Sequence, residues 1–414
     1  MSWLVPFAAL TAEQRRAVQL TPERHRLIAG PPGSGKTMVL LHRAAFLRDT
    51  HGIPPERLHV FVYTKTLRAY IRSELELLGL PATCVSTFDS WCLGFFRTHL
   101  RLQLPMAGRQ PDYPAVRAQC ATWVREHPFR NPPFDAAMVD EGQDLDESTF
   151  AVLRAVARHL SVCTDPGQQL YETGSSEERI RQWLGLGNRN VSLLDAFRCV
   201  PLVSRLASLY IDDPGQREAF LRQVRASQGE REMPVFFVAA DPAEERRRLV
   251  EVLRARIARG ERTAILVPST HMQGALLAEL WRAGVAIETR HRLSFDDLVP
   301  KLLTYHSGKG LVFDSVLMPG VADGAFRHGD ASSWLRLLFV GITRARRWVY
   351  LSTTWRAKGI FGPLQRLLAP EAAGCCEVQW GSGVPAPRLE PPAAMRPAAV
   401  ELPPVAEDDP TALL

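Results

Sequence analysis

The amino-acid sequence predicts an α/β protein built on two parallel sheets, and three observations carry that expectation. Short apolar runs alternate with helical patterns along most of the chain, as strand–helix–strand units require. The first apolar run leads directly into a glycine-rich segment that opens a helix. A later run ends abruptly in two adjacent acids, Asp140 and Glu141.

In the first block, strands are expected at Arg26 to Ala29, His59 to Tyr63, Ala137 to Val139 and Ser161 to Thr164. Helices are expected at Lys36 to Arg48, Thr66 to Leu78 and Glu147 to His159. In the second block, Val235 to Val238, Thr263 to Val267, Leu302 to Tyr305, Ser315 to Met318 and Trp348 to Ser352 read as strands. Helical patterns at Ala243 to Ala258, Met272 to Ala283 and Ser333 to Val340 separate them, and no sequence repeat links the two blocks. Two stretches depart from this rhythm. Arg97 to Pro133 contains several prolines and is expected to be an insertion with little regular structure. Val384 to Leu414 is rich in Pro and Ala, with an acidic patch at Glu407 to Asp409, and is expected to be a disordered tail. These readings place one domain at 1–190 with a short insertion near 93–135, a second at 191–380, and the tail at 381–414.

The composition agrees with a multidomain globular protein. With 414 residues and 46% apolar content, the chain can build real cores, which excludes disorder of the whole. Fifty basic residues against 44 acidic ones give a net charge of +6, too thinly spread to decide for a polyanion partner. Only five of the basic residues are lysine; the other 45 are arginine. No apolar run approaches the roughly 18 to 20 residues of a membrane span, and Met1 to Leu10 lacks the features of a signal peptide. Seven cysteines without a C-x-x-C pair fit reduced thiols in a cytoplasmic protein.

The glycine-rich segment is Gly30, Pro31, Pro32, Gly33, Ser34, Gly35, Lys36 and Thr37, which matches G-x-x-x-x-G-K-[ST] between a strand and a helix. Its glycines let backbone N–H groups approach phosphate, Lys36 can reach the β- and γ-phosphates, and Thr37 can ligate Mg²⁺. Such a loop needs a second metal ligand at the end of a neighbouring strand. The strand ending in Asp140 and Glu141 supplies it, with Asp140 on Mg²⁺ and Glu141 orienting or deprotonating the attacking water.

The run Asp140-Glu141-Gly142-Gln143-Asp144 resembles the D-E-x-Q-D motif of UvrD-like superfamily 1 helicases, and seven further segments, three before it and four after, fall in that family's order. Leu10 to Val18 resembles the adenine-reading Q motif, which implies Gln14 as the base contact. Tyr63-Thr64-Lys65 and Ser86 to Cys92 resemble motifs Ia and Ib, which touch single-stranded DNA. Asp165 to Tyr171 resembles motif III, implying that Gln168 senses the γ-phosphate and Tyr171 faces the strand. Leu194 to Arg198, Thr304 to Leu311 and Leu337 to Ala345 resemble motifs IV, V and VI. The resemblance implies two RecA-like P-loop NTPase domains with ATP in the cleft between them, and Arg198 and Arg344 as arginine fingers from the second domain. Tyr63, Trp91, Tyr171 and Tyr305 are candidate base-stacking rings, and Thr64, Thr87 and His306 candidate phosphate or base-edge contacts.

Three departures from the family pattern stand out. After motif III, where relatives carry an aromatic and an arginine, this chain reads Glu172-Thr173-Gly174-Ser175-Ser176. In motif V the glutamate implied to meet the nucleotide is Val312, which predicts weaker or less selective nucleotide binding. The interval from Cys199 to Leu303 is too short for a large inserted helical domain, with the deletion point expected near Arg290 to Val299. The expected activity is ATP-driven translocation on single-stranded DNA or at single/double-strand junctions, in repair, recombination or genome defence. An ATP-driven switch subunit acting on a protein partner is the alternative, and no membrane partner is expected.

Overall fold

A computed structural model describes residues 4–165, 175–188, 191–193, 199–223, 232–289, 293–295, 297–322, 331–355 and 360–385. Two large sheets organise it, and every strand pairing within them is parallel.

The first sheet contains β1 (Arg26–Ala29), β2 (Leu58–Val62), β3 (Val85–Thr87), β4 (Phe134–Val139), β5 (Ala157–Thr164) and β6 (Val191–Ser192), in the spatial order β3-β2-β4-β5-β1-β6. β1 and β2 are buried along their whole length, as strands covered on both faces must be. Short polar side chains start the covering helices. Thr11, Thr64, Thr87, Asp112 and Asp146 each accept a backbone N–H in the first turn of the helix that follows.

The second sheet contains β7 (Val235–Ala239), β8 (Thr263–Val267), β9 (Glu288–Thr289), β10 (Lys301–Thr304), β11 (Phe313–Met318), β12 (Ala345–Thr354) and β13 (Glu377–Trp380), in the order β9-β10-β8-β11-β12-β7-β13. One apolar cluster takes in side chains from both halves, from Ile28 and Leu67 to Leu311 and Phe339. Separate clusters cover the outer faces of each sheet. Among the described residues no helix is long and apolar enough to cross a membrane.

Three expectations are corrected. The stretch Arg97 to Pro133 is not irregular: it contains a helix, Tyr113–Glu126, that buries Val116, Cys120, Ala121 and Val124. Its Pro114 sits in the first turn, where a missing N–H costs nothing, so the proline marked a helix start. The helix expected to run to His159 stops at Val156, because β5 begins at the next residue without a loop. β13 was not foreseen; it extends the second sheet beside β7 just before residues 386–414, which lie outside the described residues.

Candidate functional site

The chemistry-bearing residues collect at the carboxyl ends of the first sheet's strands, where open parallel sheets bind ligands. The Gly30 to Lys36 loop follows β1, Tyr63 and Thr64 follow β2, Asp140 and Glu141 follow β4, and Asp165 follows β5. Gly35, at φ 85°, caps helix Lys36–His51 in the left-handed region, and a Cβ there would come within 2.7 Å of Gln14 Nε2. Gln14 is held by a capping box with Thr11, and its Nε2 donates to the Ser34 carbonyl at 3.0 Å. Ser34 Oγ in turn donates to the Pro31 carbonyl at 2.9 Å, closing the loop on itself.

Lys36 points back across this loop. Its ammonium donates to the carbonyls of Gly30 at 2.7 Å and Pro31 at 3.0 Å, and pairs with Asp165 at 3.0 Å. Thr37 Oγ1 donates to Asp140 Oδ2 at 2.7 Å, so the hydroxyl and the carboxylate converge on one point. Burial and the neighbouring charge of Glu141 push Asp140 up to about 6, against the Thr37 bond and Lys36. Glu141 moves the other way: burial raises it, but Lys309, Lys36 and Arg344 together hold it down at about 2. One acid is therefore poised near neutrality and the other is firmly ionised. Glu141 also takes a left-handed backbone, φ 53°, unusual outside glycine, and its carboxylate accepts from Gln143 Nε2 at 2.5 Å. Gln143 is pinned in turn by the Asp165 amide, which donates to its Oε1 at 2.9 Å.

The second sheet reaches this cluster through Lys309 and Arg344. Lys309 is 1% exposed; its ammonium contacts Asp144, lies 3.5 Å from Glu141 and sits 5.2 Å from the Tyr63 ring centroid. Arg344, equally buried, donates from Nε to the Val340 carbonyl at 3.0 Å and from Nη2 to Thr343 at 3.1 Å, and its charge reaches Glu141.

The expected strand-facing residues divide. Tyr63 and His306 are half-buried beside Lys309, whose charge, after burial, lowers the His306 pKa and favours its neutral form. Thr64 caps helix Lys65–Leu75, accepting from the Leu67 amide at 3.0 Å. Thr87 is buried, accepts from the Ser90 amide at 3.2 Å and donates to its hydroxyl at 2.8 Å. Trp91 packs in an aromatic cluster, stacked on Phe95 at 5.2 Å and edge-on to Phe61 at 5.7 Å. Tyr305 is fully buried in the core, which removes it as a base-stacking ring. Gln168, Tyr171 and Arg198, with motif IV, lie outside the described residues.

Residues 10–113 match the family model of the UvrD/REP helicase N-terminal domain. Over that segment the chain is similar to UvrD-like helicases. It is 35% identical over 91 residues to the ATP-dependent DNA helicase PcrA of Staphylococcus epidermidis, a match covering 21% of this chain and 12% of that one. Against UvrD2 of Mycobacterium tuberculosis it is 40% identical over 98 residues, covering 21% and 13%. Against UvrD1 of Mycobacterium leprae it is 37% identical over 114 residues, covering 25% and 14%. The matched segment is thus about a seventh or less of each relative's length. The C-terminal domain of a possible DNA helicase from a Lactobacillus superposes on 45% of this chain and 99% of its own at 16% identity and TM-score 0.34, too distant to carry detail.

In this site, four residues without an assigned role prove central: Gln143, Asp144, Asp165 and Lys309. Two signals were present in the sequence. Asp165 follows an apolar strand just as Asp140 does, and Lys309 is one of five lysines in a chain with 45 arginines. Their partners became visible only with the fold, since Lys309 and Asp144 stand 165 positions apart.

Proposed function

We propose that the chain is an ATP-dependent translocase on single-stranded DNA, with ATP bound at the Gly30 to Thr37 loop and the second sheet completing the site. The convergence of Lys36, Thr37, Asp140 and ionised Glu141 in one buried cluster, with Lys309 and Arg344 arriving from the other sheet, supports this reading. The donor set fits a magnesium nucleotide. Thr37 and Asp140, whose oxygens lie 2.7 Å apart, are the residues that would hold Mg²⁺, an ion that takes oxygen ligands. Held there, Mg²⁺ would supply charge neutralisation to the bound phosphates.

Each side chain then has a task. Gln14 meets the base beside the loop. Lys36 exchanges its loop carbonyls and Asp165 for phosphate oxygens. Glu141, kept as a carboxylate, accepts a proton from the attacking water. Arg344, with Arg198, neutralises charge developing in the transition state. Tyr63, Thr64 and His306 line the strand side, while Thr87 and Trp91 support it from the helix cap and the aromatic cluster.

ATP hydrolysis with and without single-stranded DNA tests this. Marked stimulation by the strand is expected of a DNA-driven motor. Lys36→Ala should lose nucleotide binding, and Glu141→Gln should bind ATP without turning it over; normal turnover in either variant would overthrow the site. A second reading, an ATP-driven switch acting on a protein partner, is favoured by the buried Lys309–Asp144 pair joining the two sheets and by the absence of an aromatic in Glu172 to Ser176. Hydrolysis indifferent to DNA but raised by a co-purified protein would select it.

A further inference from the structure

Helix Lys36–His51 carries a second cation that the reaction does not use. Arg43 lies two turns beyond Lys36 and is fully buried. Its hydrogen-bond partners are neutral groups spread around the guanidinium. Nε donates to Ser161 Oγ at 2.6 Å, and Nη2 meets His159 Nε2 at 3.1 Å. Nη1 donates to the carbonyls of Val18 at 2.9 Å and Leu20 at 2.5 Å, with Ala17 at 3.4 Å. Burial, with the charge of Arg26, lowers Arg43 to about 9, which leaves it charged at neutral pH. A desolvated cation without a carboxylate is costly, so the position needs what arginine alone supplies, several donors in a fixed fork.

The fork grips the C-terminal end of helix Ala12–Val18, whose last carbonyls lack partners within the helix and favour a cation. The opposite end of the same short helix carries Gln14, bonded to the Ser34 carbonyl of the phosphate loop. The helix is therefore held at two points, both referred to helix Lys36–His51: one at the loop that opens it and one at Arg43. Ser161, the other anchor of the fork, lies on β5, the strand that ends beside Asp165 and Lys36.

We propose that Arg43 is a positioning residue for nucleotide-base recognition: its guanidinium sets the tilt of helix Ala12–Val18 and thereby the place of Gln14 beside the phosphate loop. This rests on Gln14 being the base contact. Without the far anchor the helix keeps its Gln14–Ser34 contact and pivots about it. The loss then falls on KM and on discrimination between bases. Turnover at saturation is spared, because Arg43 has no hydrogen bond to Thr37, Asp140 or Glu141.

Steady-state hydrolysis of ATP and GTP by the parent, Gln14→Ala, Arg43→Lys and the double variant tests this. Lysine keeps the charge but offers its donors from a single atom, too few and too close together for partners on a strand and a helix end. Losing charge-assisted bonds should raise KM for ATP about tenfold in Arg43→Lys with kcat within about twofold. The ATP-over-GTP preference should fall toward that of Gln14→Ala, and the double variant should discriminate no worse than Gln14→Ala alone. Ser161→Ala removes one acceptor and leaves the helix carbonyls in place; it should shift the preference in the same direction by less, and it answers the question if Arg43→Lys folds poorly. Folded Arg43→Lys and Ser161→Ala proteins with the parent's preference overturn the positioning role. An unchanged preference in Gln14→Ala overturns the base-contact reading itself, and the proposal with it.

Discussion

Replacing Lys309 with methionine isolates the link between the two sheets. The ammonium is buried against Asp144 and 3.5 Å from Glu141, so Lys309→Met takes a buried cation away from two buried carboxylates, Glu141 keeping the influence of Lys36 and Arg344. Breaking a buried pair from one side costs about 3 to 5 kcal/mol, and the apolar volume of methionine does not recover it. The pH dependence gives an independent measure. Glu141 is held at about 2 against an ordinary 4.5, and a depressed acid contributes stability that is present above the ordinary value and lost as pH falls through the depressed one. That contribution is about 3 kcal/mol at neutral pH, from 1.36 kcal/mol per unit, and it disappears between pH 4.5 and about 2. In Lys309→Met part of the depression is relieved, Lys36 and Arg344 remaining, so this loss on acidification should shrink. Denaturant unfolding at pH 7 and across the acid range, followed by probes in each half because two domains need not unfold together, measures both quantities. Asp144→Asn combined with Lys309→Met should cost less than the two single changes added. A Lys309→Met protein as stable as the parent at pH 7, with an unchanged acid profile, would refute the buried link.

Asp140 sits at about 6 because burial and Glu141 raise it, so it is ionised above that pH and protonated below. Protons and Mg²⁺ should therefore compete for Asp140, so Mg²⁺ affinity should weaken as pH falls below about 6, and an affinity unchanged from pH 7 to 5 would contradict the assignment of Asp140 to the metal. Gly35→Ala places a Cβ 2.7 Å from Gln14 Nε2 at a φ of 85°, a strain of about 1 to 3 kcal/mol, so nucleotide affinity measured by titration should fall at least about tenfold. Trp91→Ala should destabilise the fold by about 2 to 3 kcal/mol through the lost ring contacts while changing single-strand affinity less than about twofold. An affinity loss of about 1 to 3 kcal/mol with little effect on stability would instead make Trp91 a base-stacking ring.

What could be read without the fold follows from locality. β1, the phosphate loop and helix Lys36–His51 are contiguous, and each carries its own signal: a buried apolar run, glycines, then helical periodicity. Asp140 and Glu141 were legible for the same reason, as the abrupt end of an apolar strand. Helix Tyr113–Glu126 was missed because proline was taken as a breaker, although Asp112 before it marks a helix start. Threonine misled in another way: Thr64 and Thr87 stand in nucleic-acid-like motifs, yet each is also the N-cap that starts a helix, and a linear motif does not separate the two roles. The opposed shifts of Asp140 and Glu141 were invisible beforehand, since the cation that separates them arrives from the other sheet.

The choice between lysine and arginine at buried positions follows one physical rule. Lys36, Lys301 and Lys309, three of only five lysines, are each at most 8% exposed and meet carboxylates at a single point: Asp165, Glu288 with Asp297, and Asp144 with Glu141. A compact ammonium suits such convergence, where a planar guanidinium would need room for a second row of donors. The buried arginines meet acceptors that are spread out. Arg43 spans a strand, a histidine and a helix end; Arg256 reaches Glu232 and Glu261 while its guanidinium carbon lies 3.4 Å from the Trp348 ring centroid. The rule makes Lys309→Arg a sharper test than Lys309→Met, because it keeps the charge and changes only the shape. If convergence is what selects lysine there, arginine should fail to restore the contact between the sheets, and full rescue of stability by Lys309→Arg would show that charge alone suffices.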